Sequence, residues 1–303
     1  MVEQLEVRRL LASVIGGILT IDGTSGNDTI SLSFDSGTSE LVVQVNSNME
    51  ERFPDVGITG GLINAGDGND TVTIGTTIAN TTVNGGAGND VLTDNASADT
   101  MNGDDGDDSL MGNDGADSLT GGTGNDTLRG GNGNDRIVGG AGNDSIFGDD
   151  GNDQLVGDAG SNFVSGGLGR DRYEALGDTR DLSITLDNVA NDGATGETGN
   201  VMSDVENLYG GDGNDLLSGS FQRNFIRGMG GNDSIEGQSK SDTLYGGDGN
   251  DSIQGYRDDD VIFGDAGDDT LIGNQGTDTL DGGTGTDVNG NDVDIIDLVL
   301  NIP

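Results

Sequence analysis

The chain has 303 residues, of which 31% are hydrophobic and 4% aromatic, too little apolar material for the core of a conventional globular enzyme. Twelve Lys and Arg against 55 Asp and Glu give a formal charge of −43, which excludes nucleic acid and anionic membrane surfaces as partners and favours cations. Cysteine and histidine are both absent, which removes disulfides, thiolate chemistry, His-ligated zinc and every mechanism built on an imidazole base.

The first twenty residues, MVEQLEVRRLLASVIGGILT, place Arg8 and Arg9 ahead of an eleven-residue apolar run. That run is too short to span a bilayer, and residues 1–17 read as an export segment. LEVRRLLAS also resembles a Leu-Glu-Pro-Arg-x-Leu-Leu element at the N-terminus of planctomycete surface proteins, with Val7 where that pattern has proline. Residues 18–84 alternate short apolar strands with turns and predict a β-rich cap. Within it, GTSGND at 23–28 and AGDGND at 65–70 lie 42 residues apart and carry Asp28 and Asp70 as weaker candidate ligands.

From Gly85 the chain falls into rows of nine: GGAGNDVLT, DNASADTMN, GDDGDDSLM, GNDGADSLT, GGTGNDTLR and five more, ending at Glu174. The eighth column is apolar in all ten rows, from Leu92 to Tyr173, where composition predicts roughly three. Residues 175–209 leave the register and predict a linker between two stacks, of strand, polar loop and re-entry strand. A second block of nine rows runs from Gly210 to Gly290, with the eighth column apolar from Leu217 to Leu280 and broken only by Asn289. Residues 291–303 read as a final capping strand, and DVDIIDLVLNIP also resembles the uncleaved secretion signals of type I exported proteins.

Each row supplies a six-residue turn and a three-residue strand with one inward side chain, so two rows make one 18-residue coil and nineteen rows make about nine coils. Glycines in columns one, two and four allow φ > 0 and close backbone approach. Stacked strands lie ~4.8 Å apart, which sets column-six carboxylates of successive coils opposite one another along each edge. Left bare, such charges repel by about 0.9 kcal/mol per pair even in water. A cation midway would sit ~2.4 Å from both carboxylates, and oxygen ligation at that distance suits Ca²⁺ better than Mg²⁺.

The rows, GGTGNDTLR at 121–129 above all, resemble the nonapeptide repeats of RTX, or haemolysin-type calcium-binding, proteins over 171 of the 303 residues. The resemblance implies an all-β, right-handed parallel β-roll, here in two stacks with a β-rich N-terminal cap. It also implies Ca²⁺ held between coils by column-six Asp side chains and the carbonyls of the glycine turns. The candidate ligands are Asp90, Asp108, Asp126 and Asp144 on one edge of the first block and Asp117, Asp135, Asp153 and Asp171 on the other. Asn162, which lacks the charge, and Asp99, in the glycine-poor row DNASAD, weaken the sites they share. In the second block, Asp215, Asp233, Asp251, Asp269 and Asp287 line one edge. The opposite edge carries Arg223, Lys240 and Arg257 inside its turns and keeps only Asp278 in a normal row, so cations of the chain are expected to replace calcium there.

The function expected is that of a monomeric, non-catalytic calcium-binding protein, secreted or on the cell surface, which folds as it meets extracellular Ca²⁺. A partner at the cell surface or in the extracellular matrix is left open, and no membrane span is expected. The rivals are a calcium-dependent adhesin and the accessory repeat module of an exported hydrolase or polysaccharide-modifying enzyme, for which Asp187 with Asp192 or Glu197 with Glu206 offer acid-base pairs.

Overall fold

A single apolar side chain in each nine-residue row can be buried only if the chain turns back after every row and stacks each strand on the one two rows earlier. The computed structural model does this throughout; it describes residues 11–46, 49–54, 57–75, 78–289 and 298–300. Among these residues the structure is all-β, without an α-helix, and the strands of the rows pair in parallel as a β-solenoid. No helix among them is long and apolar enough to cross a membrane. Two compact units divide the chain, residues 1–140 and 141–303.

In the first unit one wall stacks Ile18–Thr24, Gly60–Asp67, Thr81–Ala87, Thr100–Asp105 and Ser118–Thr123. The other stacks Thr29–Asp35, Thr71–Ile74, Val91–Thr93, Ser109–Asp114 and Thr127–Asn132. Met101 opposes Leu119 and Leu110 opposes Leu128, so each coil takes 18 residues. The cap obeys the same registration with longer coils: Ile21 opposes Ile63 and Ile63 opposes Val83. The first of these coils is long because it carries Glu40–Val45 and Met49–Pro54, which continue the second wall in antiparallel fashion. Leu11–Ile15 closes the first wall as an antiparallel hairpin with Ile18–Thr24.

In the second unit one wall is unbroken, from Gln154–Val156 and Arg172–Glu174 through Asn207–Tyr209 and Phe225–Gly230 to Thr279–Asp281 and Leu298–Leu300. Tyr173 opposes Leu208 and Leu208 opposes Ile226, so the segment between the two blocks of rows contributes a strand to this wall. Register resumes at Val201 with the glycine-free row VMSDVENLY, which runs directly into Gly210. The facing wall is interrupted instead. Ser145–Gly151, Phe163–Gly169 and Asn200–Val201 belong to one sheet, and Leu182–Thr185, Leu216–Ser218, Ser234–Glu236, Ser252–Arg257 and Thr270–Gln275 to another. At this seam a cavity of about 310 Å³ opens, lined by Val164, Tyr173, Leu182, Ile184, Asp192 and Val201 among others.

The eighth column is the core. Leu92, Leu119 and Leu128 in the first unit and Ile146, Leu155, Leu208, Ile226, Leu244 and Leu271 in the second are fully buried, each contributing roughly 1.5–3 kcal/mol. On the outward face of the unbroken wall Tyr209, Phe225, Tyr245 and Phe263 stack in sequence with ring centroids 5.8, 5.3 and 4.6 Å apart, and Arg227 lies over Tyr245.

The turns explain the glycine columns more sharply than expected. Columns two and four are left-handed: Gly86 has φ 109° and Gly88 has φ 130°, and a Cβ on either would strike a carbonyl oxygen of the coil below, at Gly66 or Gly68. Column one is different. Gly85, Gly103, Gly112 and Gly121 do not have positive φ, and the space a side chain would need there is filled by the column-six carboxylate of the same row. Two rows poor in glycine, GQSKSD and GYRDDD, keep the left-handed backbone, with Gln238 at φ 79°, Lys240 at φ 76°, Tyr256 at φ 78° and Asp258 at φ 72°. We expect Gly249→Ala, whose Cβ would collide with the Gly231 carbonyl, to cost roughly 2–3 kcal/mol. Lys240→Gly should relieve left-handed strain and gain about 0.5–1 kcal/mol. Thermal denaturation of both variants at saturating calcium measures this; equal melting temperatures would contradict it.

Candidate metal centre

Among the described residues, the turns of the rows end in an acidic or amide side chain folded back beneath them. In the first unit the Asp28 N–H donates to Asp70 Oδ1 (2.6 Å), Asp70 to Asp90 (2.7 Å), Asp90 to Asp108 (2.7 Å) and Asp108 to Asp126 (2.7 Å). On the other edge Asp99 donates to Asp117 Oδ1 (2.9 Å) and Asp117 to Asp135 (2.8 Å). In the second unit Asp153 donates to Asp171, Asp215 to Asp233, Asp233 to Asp251, Asp251 to Asp269 and Asp269 to Asp287, at 2.8–3.0 Å. Asp144, preceding Asn162 on its edge, donates likewise to the Asn162 amide oxygen (2.8 Å).

Column five runs a second ladder in the opposite sense. Asn89 N–H donates down to Asn69 Oδ1 and Asp107 N–H to Asn89 Oδ1, while Asn250 donates to Asn232 and Asp268 to Asn250. The recurrent Asn-Asp dipeptide thus ties each turn to both neighbours.

One oxygen of each column-six carboxylate is therefore already spent on an amide, which revises the simple image of two bare carboxylates facing across a cation. The other oxygen turns inward. Oδ2 of Asp70, Asp90, Asp108 and Asp117 in the first unit, and of Asp171, Asp233, Asp242, Asp251, Asp260, Asp269 and Asp287 in the second, is buried without a hydrogen-bond partner. It does not sit alone. At Gly112 the point where a side chain would begin lies 2.5 Å from Asp117 Oδ2 and 2.6 Å from the carbonyl oxygen of Gly130 in the next coil. The same carboxylate and carbonyl pair meets at Gly85, Gly103, Gly228, Gly246 and Gly264. A buried carboxylate oxygen without a donor is unfavourable by itself; a cation there would supply what is missing.

Rows that depart from the regular turn form a contrast within the same molecule, because there the chain supplies its own donor. Asp28 Oδ2 accepts from the Thr24 amide (2.6 Å), Asp99 Oδ2 from Asn95 Nδ2 (3.1 Å) and Asn224 Oδ1 from the Ser220 amide (2.7 Å). Asn162 closes its turn by donating Nδ2 to the Gly157 carbonyl (2.7 Å). Asp215, expected as a ligand, belongs with these. Its Oδ1 accepts from the Leu182 amide and its Oδ2 from the Gly211 amide, and Gly211 and Gly213 are not left-handed although GGDGND looks regular.

Asp126 and Asp135 in the first unit and Asp144, Asp153 and Asp278 in the second occupy the same buried column-six place. Asp242 and Asp260, outside the expected ligand set because their rows carry cations, match the regular sites. Arg223, Lys240 and Arg257 are exposed and, among the described residues, make no ion pair with them. The sequence reading set these two carboxylates aside because of the cations in their rows, while their place in the nine-residue row is that of the others. The acid-base pairs of the enzyme reading have structural partners: Asp192 accepts from the Thr185 and Val201 amides, Glu197 pairs with Arg180, and Glu206 accepts from the Asp171 amide. Asp94 stands where glycine occupies column one, and burial together with Asp99 pushes its carboxyl up.

No three acidic side chains gather at one point among the described residues, so a cation here would rest on one or two carboxylates with main-chain oxygens. That donor set is what Ca²⁺ accepts. A scan of protein families matches the RTX calcium-binding nonapeptide repeat over residues 20–35, 76–110, 111–146, 139–173, 209–239, 236–271 and 255–288, more than half of the chain. The chain belongs to this calcium-binding RTX repeat family. Comparison with curated proteins returns no match. The RTX match also takes in residues 20–35, so the cap's Asp28 turn carries the repeat signature.

Electrostatics sets how this RTX protein responds to acid. Without metal, burial pushes Asp90 up to about 6, and Asp108 and Asp117 to about 7; like charges along the ladder add to this, while the accepted amide pulls back. Burial does the same in the second unit, to about 7 for Asp233 and Asp260 and about 6 for Asp269. A carboxyl whose folded pKa stands above its unfolded value of ~3.9 favours the fold when protonated. The metal-free fold is then most stable below about pH 4 and loses stability as pH rises towards 7. In chelator, far-ultraviolet circular dichroism should show β structure at pH 4 that melts away by pH 8; β structure that strengthens with rising pH would contradict the assignment.

Proposed function

We propose that the chain is an exported, non-catalytic β-solenoid that binds several calcium ions between its coils and folds as it binds them. The observation that carries this is the repeated buried Oδ2 without a donor, facing a main-chain carbonyl, at Asp90, Asp108 and Asp117 and again at Asp233, Asp251 and Asp269. The ligands are the column-six carboxylates Asp90, Asp108, Asp126, Asp144, Asp117, Asp135, Asp153, Asp171, Asp233, Asp251, Asp269, Asp278 and Asp287, joined by Asp242 and Asp260. Asp215 serves as the closing turn of its edge. Since the site exists only when two coils are stacked, binding free energy is folding free energy. In low calcium the net charge of −43 expands the chain. Outside a cell, where calcium is abundant, the same carboxylates are neutralised and the coils close, which supports a working protein in the extracellular space or on the cell surface. No residue set in either unit is required to do chemistry for this role.

Calcium titration of the chelated chain at pH 7.5, followed by circular dichroism with ion stoichiometry by elemental analysis, tests it. A cooperative gain of β structure with several ions per chain is expected; a spectrum unmoved by calcium, or a stoichiometry of zero or one, would overturn it. Asp108→Asn, which should donate to its own turn as Asn162 does, is expected to lower the ion count and to reduce the calcium needed for half-folding. An increased calcium requirement would contradict that role for the amide.

A further inference from the structure

The seam of the second unit breaks the pattern of the regular turns in a way that supplies an extra carboxylate. Row 201–209, VMSDVENLY, follows row 166–174 on the unbroken wall, and Arg172 opposes Asn207. It has no glycine, and none of Val201 to Glu206 adopts a left-handed backbone. Val201 and Val205 are buried, and no carbonyls of this turn are among the atoms nearest the space at Gly166. In their place stands Asp204, at column four.

Asp204 is held firmly against the preceding coil. Its Oδ1 accepts from the Gly166 amide (3.1 Å) and its Oδ2 from the Ser165 hydroxyl (2.7 Å). Asp171, the column-six residue of that preceding row, is fully buried, and its Oδ2 has no hydrogen-bond partner. That oxygen also faces Gly166, lying 2.5 Å from the point where a side chain would begin. Two carboxylates from successive coils therefore converge on one glycine, each Asp204 oxygen keeping a lone pair after its single hydrogen bond. Glu206 occupies column six of the seam row, where its Oε2 accepts from the Asp171 amide (2.9 Å) and adds a third negative charge. Arg170, whose charge acts on Glu206, forms no ion pair with any of the three among the described residues.

We propose that Asp171 and Asp204 hold a calcium ion at this seam, with Glu206 as the residue that positions Asp171, and that this is the tightest site of the second unit. Its ligand set exchanges a neutral carbonyl for a carboxylate, and ligand charge is a main determinant of calcium affinity in oxygen cages. Asp204 directly follows the irregular segment 175–200, so an ion here ties that segment down before the regular coils fill.

This inference rests on the calcium-binding reading above, and the test separates the two. Calcium binding to the full chain and to D204N is measured by isothermal titration with ion stoichiometry, alongside limited proteolysis at the exposed Leu176 and Val189. The expected result is one ion fewer in D204N, a tightest step weakened tenfold or more, and faster cleavage of segment 175–200 at calcium levels where the dichroism of the two proteins is equal. Identical stoichiometry, affinity and cleavage in wild type and D204N would overturn the seam site while leaving the general reading intact; no calcium uptake by wild type would overturn both. Should D204N fail to fold, Ser165→Ala removes the hydroxyl that orients Asp204 without changing charge. A several-fold weaker tightest step is expected from it, and an unchanged step overturns the proposal.

Discussion

A carboxylate oxygen turned into a dry turn, opposite a carbonyl oxygen and without a proton between them, is the constraint on which the rest of this structure depends. It accounts for the glycine in column one, whose missing side chain is the room that Asp108 or Asp269 occupies. The left-handed residues of columns two and four bring successive turns close enough for oxygens of two coils to meet. It also explains why so sparse a core suffices: one aliphatic residue per row fixes which way the strand faces, and the turns hold the coils together.

The irregular rows show what the regular ones lack. Where an amide or hydroxyl of the same turn reaches the second oxygen, as at Asp28, Asp99 and Asp215, the acceptor is satisfied by the chain itself. Asn162 carries its own donor. These rows lie where the stack begins, changes wall or departs from the glycine pattern, which are the places where two identical turns do not face each other. The contrast separates turns whose second oxygen meets a donor of the chain from turns whose second oxygen is buried without one.

Much of this was legible in the sequence, because a period of nine with a fixed apolar column leaves little freedom. The strands, the 18-residue coil and the two families of edge aspartates follow from spacing alone. What escaped was local. VMSDVENLY has Leu208 and Glu206 in their proper columns, but without glycines its membership can be seen only by counting back nine residues from Gly210. The cations of GQSKSD and GYRDDD are exposed, so charge in the turn said less about Asp242 and Asp260 than their place in the row. Asp215 differs the other way: its row is regular, yet the Leu182 and Gly211 amides reach both of its oxygens.

The two hydrogen-bond ladders of columns five and six run in opposite senses, so each coil is read by both of its neighbours and neither contact depends on what lies further along. Lengthening or shortening such a molecule is then a matter of whole coils. Gain or loss of 54 base pairs of coding sequence would splice cleanly, whereas 27 would carry every downstream row to the opposite wall and set unlike turns face to face.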